Sequence, residues 1–141
     1  MRLWRVVHQG RPDPWRPRRC AHRWNTERVQ VTYAARCPAL AVAEALAYVR
    51  HVDELGGYLL HEAEYEGSTE TSERVPEGPQ WPHDPVVQAK GDAWVEAGRA
   101  GALLVPTILL PTGTNVMLSQ DHPDFDRLRP VRTHVLDAYV R

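Results

Sequence analysis

Three residues near the start of the chain carry chemistry at almost regular spacing: Arg23 in "RWN", Tyr33 in "VQVTYA" and Glu44 in "PALAVAEAL". Ten residues separate the first from the second, and eleven the second from the third. A guanidinium at a strand mouth suits phosphate or carboxylate, because its fork donates hydrogen bonds in pairs; it suits a surface ion pair equally well. Tyr33 is in phase with Val29 and Val31, so its ring points where theirs do, and a core tyrosine with a satisfied hydroxyl is the ordinary reading. On a helix advancing about 100° per residue, Glu44 lies about 40° round from Leu40, on or at the edge of the apolar stripe. A carboxylate there needs a partner, a cleft or a path to water. Each residue alone has a bland explanation, as a surface arginine, a core tyrosine and a rim glutamate. Together they give one strand-to-helix unit an anion grip, a ring and a carboxylate.

The elements that must position them are legible in outline. "LWRVVH" predicts an opening strand ended by Gly10-Arg11-Pro12. "RVQVTYA" alternates cleanly as a second strand. Pro38 fits the first turn of a helix, predicted to run over residues 38–55 and stop at Gly56-Gly57. Residues 58–66, of mixed polarity, read as an edge strand. The proline-rich stretch Gly67 to Pro85 reads as a loop rather than a lid. "GDAWVEAGRAG" predicts a short helix with Asp92 as N-cap and Gly98 or Gly101 as its stop. Residues 102–111 read as a buried strand with a bulge or an edge at Pro106, and "NVMLSQ" as another strand. "DHPDFDRL" reads as a helical turn with Asp121 as cap, and residues 133–141 as a final strand. The fold class expected is α+β: a mixed, mostly antiparallel sheet with two or three helices.

Bulk properties narrow the field. At 141 residues the chain is expected to be a single domain, 1–141. Net charge is -1, with 43% hydrophobic and 25% charged residues, which gives no global case for binding nucleic acid or an anionic membrane. Arginine dominates residues 11–28, which reads either as a solvated loop or as a local anion site. Cys20 and Cys37 are not at metal-ligand spacing and the seven histidines are scattered, so no metal site is expected and the thiols read as idle. No stretch has the length of a signal peptide or a membrane span, and a cytoplasmic protein is expected.

The order of motifs resembles the RES-domain family of toxins from bacterial toxin–antitoxin modules. "LWRVV" is similar to that family's opening strand, "VTYAA…LAVAE" to its centre, and "QAKGDAWVEAGRAGALLVPT" to its GD-W helix and following strand. "NVMLSQDHPDF" resembles its asparagine strand and proline turn, and "LDAYVR" its last strand, so the likeness covers almost the whole chain. Thr107 stands where the family has serine; the glycine usual after "RWN" is absent, and Ser119-Gln120 replaces an asparagine-proline pair.

The resemblance implies an ADP-ribosyltransferase-like fold and cleavage of the nicotinamide–ribose bond of NAD. It places Arg23, Tyr33 and Glu44 in catalysis and Trp24, Asn25, Thr107 and Asn115 in substrate binding. NAD is then a substrate, inorganic phosphate the expected co-substrate, and no cofactor is needed. Such cleavage passes through an oxocarbenium-like state. Glu44 would face the developing positive charge, Tyr33 would stack on nicotinamide or ribose, and Arg23 would clamp the pyrophosphate. Asn115 and Thr107 would orient the nicotinamide amide or a ribose hydroxyl. Arg5 or Arg36 would seat an attacking phosphate, or serve equally as a structural ion-pair partner. The implied partner is a helix-turn-helix antitoxin that covers the active site, with toxins paired in the complex. The alternatives are hydrolysis by water as an NAD glycohydrolase, ADP-ribosyl transfer to a protein, an inert interaction protein, and a nucleic-acid binder using residues 11–28.

Overall fold

A computed structural model of the chain describes residues 1–72, 84–107, 109–110 and 112–136. Its strands are β1 (Arg2–His8), β2 (Val31–Ala35), β3 (Tyr58–Tyr65), β4 (Thr69–Thr71), β5 (Ala102–Pro106), β6 (Thr114–Ser119) and β7 (Leu128–Val135). They form one sheet in the order β4-β5-β6-β2-β1-β3-β7. The β4–β5 pairing is parallel and the others are antiparallel. Two α-helices, α1 (Pro38–Leu46) and α2 (Pro85–Ala97), and two 3-10 helices, Val52–Gly57 and Pro123–Arg127, complete the α+β architecture that the strand and helix pattern predicts.

Alternation along the strands divides the core. Leu3, Ala34, Ala63, Val116 and Leu118 pack with Trp15 and Phe125 on one face. On the other face, Val31, Leu103, Val105 and Met117 meet Trp24, Val87 and Trp94, with Tyr33 against them. Ala35, Trp4, Val6 and Leu60 meet Leu40 and Ala41 of α1 on the same face as Tyr33. Both helices therefore cover one side of the sheet, α2 towards β5 and β6 and α1 towards β1. Each begins the same way, with a proline in its first turn and a side chain accepting a backbone N–H: Cys37 Sγ from Leu40 and Asp84 Oδ1 from Val86. Cys37 is thus a helix cap rather than an idle thiol. Gly91 is required where α2 meets the segment before β2, because a Cβ there would lie 1.5 Å from the Trp24 carbonyl oxygen.

Several expectations are corrected. β3 is not an edge strand, since it pairs with both β1 and β7. Its polar residues are satisfied across strands: Glu62 by Arg2, Arg132 and His134, and Glu64 by Arg2 and the N-terminal amine. α1 stops at Leu46 rather than Leu55, with Tyr48 N–H bonding back to Ala45. Residues 46–48 are exposed, so another helical turn would bury nothing, and helices depend on packing for most of their stability. α2 starts at Pro85 with Asp84 as its cap; Asp92 is inside it, buried, and accepts from Thr26 N–H and Oγ1. Gly98, at φ 63°, ends it as expected.

β5 ends at Pro106, and positions 108 and 111 of the predicted strand lie outside the described residues. The Pro123–Arg127 helix is capped by His122 rather than Asp121. β7 begins at Leu128, earlier than expected, and residues 137–141 lie outside the described residues. Part of the expected loop after Gly67 is β4, while residues 73–83, and with them the choice between loop and lid, lie outside the described residues. No helix is long and apolar enough to cross a membrane among the described residues.

Candidate active site

β1 and β2 are joined through one residue pair only, Trp4 with Ala35, and splay apart beyond it. The Tyr33 carbonyl, which a continued ladder would have bonded to a β1 amide, accepts instead from Arg5 Nη1 at 2.7 Å. Beside this split lies a cavity of about 250 Å³. Its wall brings Arg23, Tyr33 and Glu44 together with Thr107 and Asn115, from five separate stretches of chain.

Glu44 is half-buried on α1. Its Oε1 accepts from Thr107 Oγ1 at 2.7 Å and from Asn115 Nδ2 at 2.7 Å. Both donors are neutral. They fix the carboxylate without cancelling its charge. Strand alternation puts them there: Asn115 is in phase with Met117 on β6, and Thr107, one residue past the end of β5, continues the phase of Leu103 and Val105. The Thr107 hydroxyl also accepts from Leu109 N–H at 3.1 Å, so the added methyl leaves its bonding intact and the turn after β5 holds it in place. Asn115 Oδ1 is buried and has no partner among the described residues.

Arg23 lines the cavity within electrostatic reach of Glu44: burial lowers its pKa, and the Glu44 charge acts the other way. The Tyr33 hydroxyl donates to Asn25 Oδ1 at 2.7 Å, and its ring meets the edge of His22 at 5.3 Å. Burial drives its pKa well above the ordinary phenol value, so the group is a neutral wall and not a proton carrier. Asn25 is fully buried and does not line the cavity; its Nδ2 donates to the Cys20 and Thr26 carbonyls. It holds the turn that carries Arg23 and fixes Tyr33. Trp24 has its side chain in the core against α2 and still forms part of the cavity wall.

Arg5 lines the cavity. Arg36 is exposed and outside that wall. Tyr48 was missed from the sequence. It lines the mouth, is 75% exposed, and its phenol pKa is raised by burial and then by Glu44. Its place four residues after Glu44 was the available signal. His22, edge-on to Tyr33, was missed too, and beside "RWN" it carried no signal of its own.

A family described as RES domain matches residues 2–138. The chain is 29% identical over 126 residues to a protein named Prs ADP-ribosylating toxin from Sphingobium sp., covering 82% of this chain and 77% of that one. It is 30% identical over 107 residues to a protein named Toxin Res from Yersinia enterocolitica, covering 73% of this chain and 70% of that one.

Proposed function

The chain belongs to the RES domain family, with its ADP-ribosyltransferase-like fold, and from that premise we propose that it is a toxin that cleaves the nicotinamide–ribose bond of NAD. The observation that carries this reading is a cavity-wall carboxylate held by two neutral donors.

NAD presents a cationic leaving group, so no general acid is needed. The bond from ribose C1′ to the ring nitrogen breaks, its electron pair neutralises the nicotinamide, and positive charge develops on the ribose. Glu44 faces that charge, and in a site closed to water such a fixed charge is worth far more than in solution. Thr107 and Asn115 keep its geometry before the charge appears. Tyr33 walls the site and excludes water, and Arg23 grips the pyrophosphate. Asn115 Oδ1 offers an acceptor to an amide N–H of the nicotinamide. The volume, about 250 Å³, falls just under the roughly 300–1,000 Å³ of whole-ligand pockets, which suits the nicotinamide riboside half with the rest emerging at the mouth.

Inorganic phosphate is the acceptor we place first: one of its oxygens bonds C1′ as nicotinamide leaves, giving a phosphorylated ADP-ribose. Transfer to a protein side chain is the second reading, favoured by the printed name of the Sphingobium relative. A covering partner, expected to be a helix-turn-helix antitoxin, suits the exposed Tyr48 at the cavity and the exposed apolar side chains of Leu46, Leu109 and Leu110. Pairing of toxins in that complex belongs to the same proposal.

The test is NAD consumption by the purified chain with and without phosphate, products resolved by mass, with Glu44→Gln alongside. Phosphate-dependent nicotinamide release, lost in the variant, is expected. Turnover only with an added protein acceptor moves the reaction to ADP-ribosyl transfer, and intact NAD under every condition with a folded chain overturns the reading.

A further inference from the structure

Arg5 is an unbalanced charge. Its Nη1 donates to a carbonyl, its Nε is inaccessible to water with no partner among the described residues, and no carboxylate bridges it there. The chain does not lack carboxylates, with 18 acidic residues against 17 basic. It places them elsewhere: Arg2, Arg28, Arg99, Arg129 and Arg132 each meet a glutamate. Around Arg5 the neighbours are basic. Burial, then the charge of Arg11, lowers its pKa to about 10, and Arg5 in turn lowers that of His61 after burial. A partly desolvated cation with a second cation nearby is costly unless an anion joins them.

The cavity wall shows where an anion fits. Tyr33 and Ala35 belong to the helix-covered face of β2, whereas Ala34 belongs to the opposite face, and all three line the cavity. The hollow therefore reaches through the split between β1 and β2. Pro17 is part of its wall and also part of the wall of a second pocket, formed with His8, Arg11, Arg16 and Arg18. Of these arginines only Arg16 is bridged among the described residues, to Asp13 and Asp126. Asp13, the carboxylate in this pocket, is turned to its own loop, accepting from Trp15 N–H at 2.9 Å. His8 Nδ1 accepts from Gly10 N–H, which leaves its ring proton on Nε2.

We propose that Arg5 and Arg11 form a seat for a small phosphate-class oxyanion in the split between β1 and β2, reached from the arginine-lined pocket that shares Pro17 with the cavity. The dinucleotide would then occupy the Glu44 side while the oxyanion arrives from the arginine-lined pocket. The seat stands on the adjoining pockets and the charges around them; its use as the acceptor site rests on the NAD-cleaving reading, so binding is measured apart from turnover.

The experiment is a calorimetric titration of the full chain with inorganic phosphate, comparing Arg11→Gln and Arg5→Lys. Losing one charge-assisted hydrogen bond is expected to weaken phosphate by about tenfold or more. Arg11 is exposed, so its variant keeps the test sound should Arg5→Lys fail to fold. Repeating the titration with saturating ADP-ribose, which has the pyrophosphate without the scissile bond, separates the two sources of oxyanion. Undiminished phosphate binding supports a seat for free phosphate; displacement by ADP-ribose supports the seat and assigns it to the dinucleotide's own pyrophosphate. Absence of phosphate binding, or equal affinity in wild type and Arg11→Gln, overturns the proposal whatever the fate of NAD.

Discussion

Glu44 and Glu62 are both partly buried carboxylates with several hydrogen bonds, and they are built in opposite ways. Glu62, on β3 between β1 and the edge strand β7, is surrounded by Arg2, Arg132 and His134. Its charge is answered within the protein. Glu44 is held by a hydroxyl and an amide, and although Arg23 lies within electrostatic reach, no cation bridge to it appears among the described ion pairs. The difference teaches how a fold distinguishes a structural carboxylate from an available one. Cations stabilise a charge by cancelling it, whereas neutral donors aim it and leave its field to act on something else.

The sharpest way to break this comparison is to neutralise each carboxylate in turn. Glu44→Gln keeps an oxygen for Thr107 and Asn115, so the melting temperature should stay near wild type. NAD turnover should fall by roughly 10²–10³-fold, the scale of losing one preorganised electrostatic contact. A variant that keeps turnover, measured by nicotinamide release, would place Glu44 with Glu62 among structural groups.

Arg23→Gln should weaken NAD by about tenfold to a hundredfold, the cost of a charge-assisted contact. The loss should appear in binding more than in the rate at saturation, which steady-state kinetics separates. Thr107 sharpens the comparison further. Thr107→Val removes one neutral donor and should cost about tenfold in turnover, while Thr107→Ser restores the hydroxyl and should stay near wild type.

Glu62→Gln is expected to do the reverse of Glu44→Gln. Turnover should be unchanged, and stability should fall by roughly 1 kcal/mol, since its partners are partly exposed. That loss should shrink in high salt, because screening already weakens the network it removes. Thermal melts at two ionic strengths measure it. A salt-independent loss would mean that packing, not charge, makes Glu62 matter.

Much of this was legible in the sequence for local reasons. Period-two alternation marked β2, and with it the face on which Tyr33 stands, while the terminating Gly10-Arg11-Pro12 marked the end of β1. Proline at the first turn marked α1, and the left-handed glycine marked the end of α2. The near-regular spacing of Arg23, Tyr33 and Glu44 marked one strand-to-helix unit. Other features depended on partners distant in the chain. β3 read as an edge because cross-strand ion pairs cannot be seen in one strand. α1 read too long because the absence of anything to pack on after Leu46 is not written in residues 47–55. Asn25 is different, because its partners Cys20, Thr26 and Tyr33 are all within eight positions; it read as a ligand-binding group because residue type does not show how a loop closes around a side chain.

The sequence by itself determined which residues alternate, which turn and which carry charge, since these follow from backbone sterics and side-chain chemistry over a few positions. The tertiary structure alone decided that β1 and β2 separate after one pair, that Thr107 and Asn115 converge on Glu44 from more than sixty residues away, and that Arg5 meets no carboxylate among the described residues. Those outcomes depend on which strands become neighbours, and that is set by the packing of the whole sheet rather than by any segment of it.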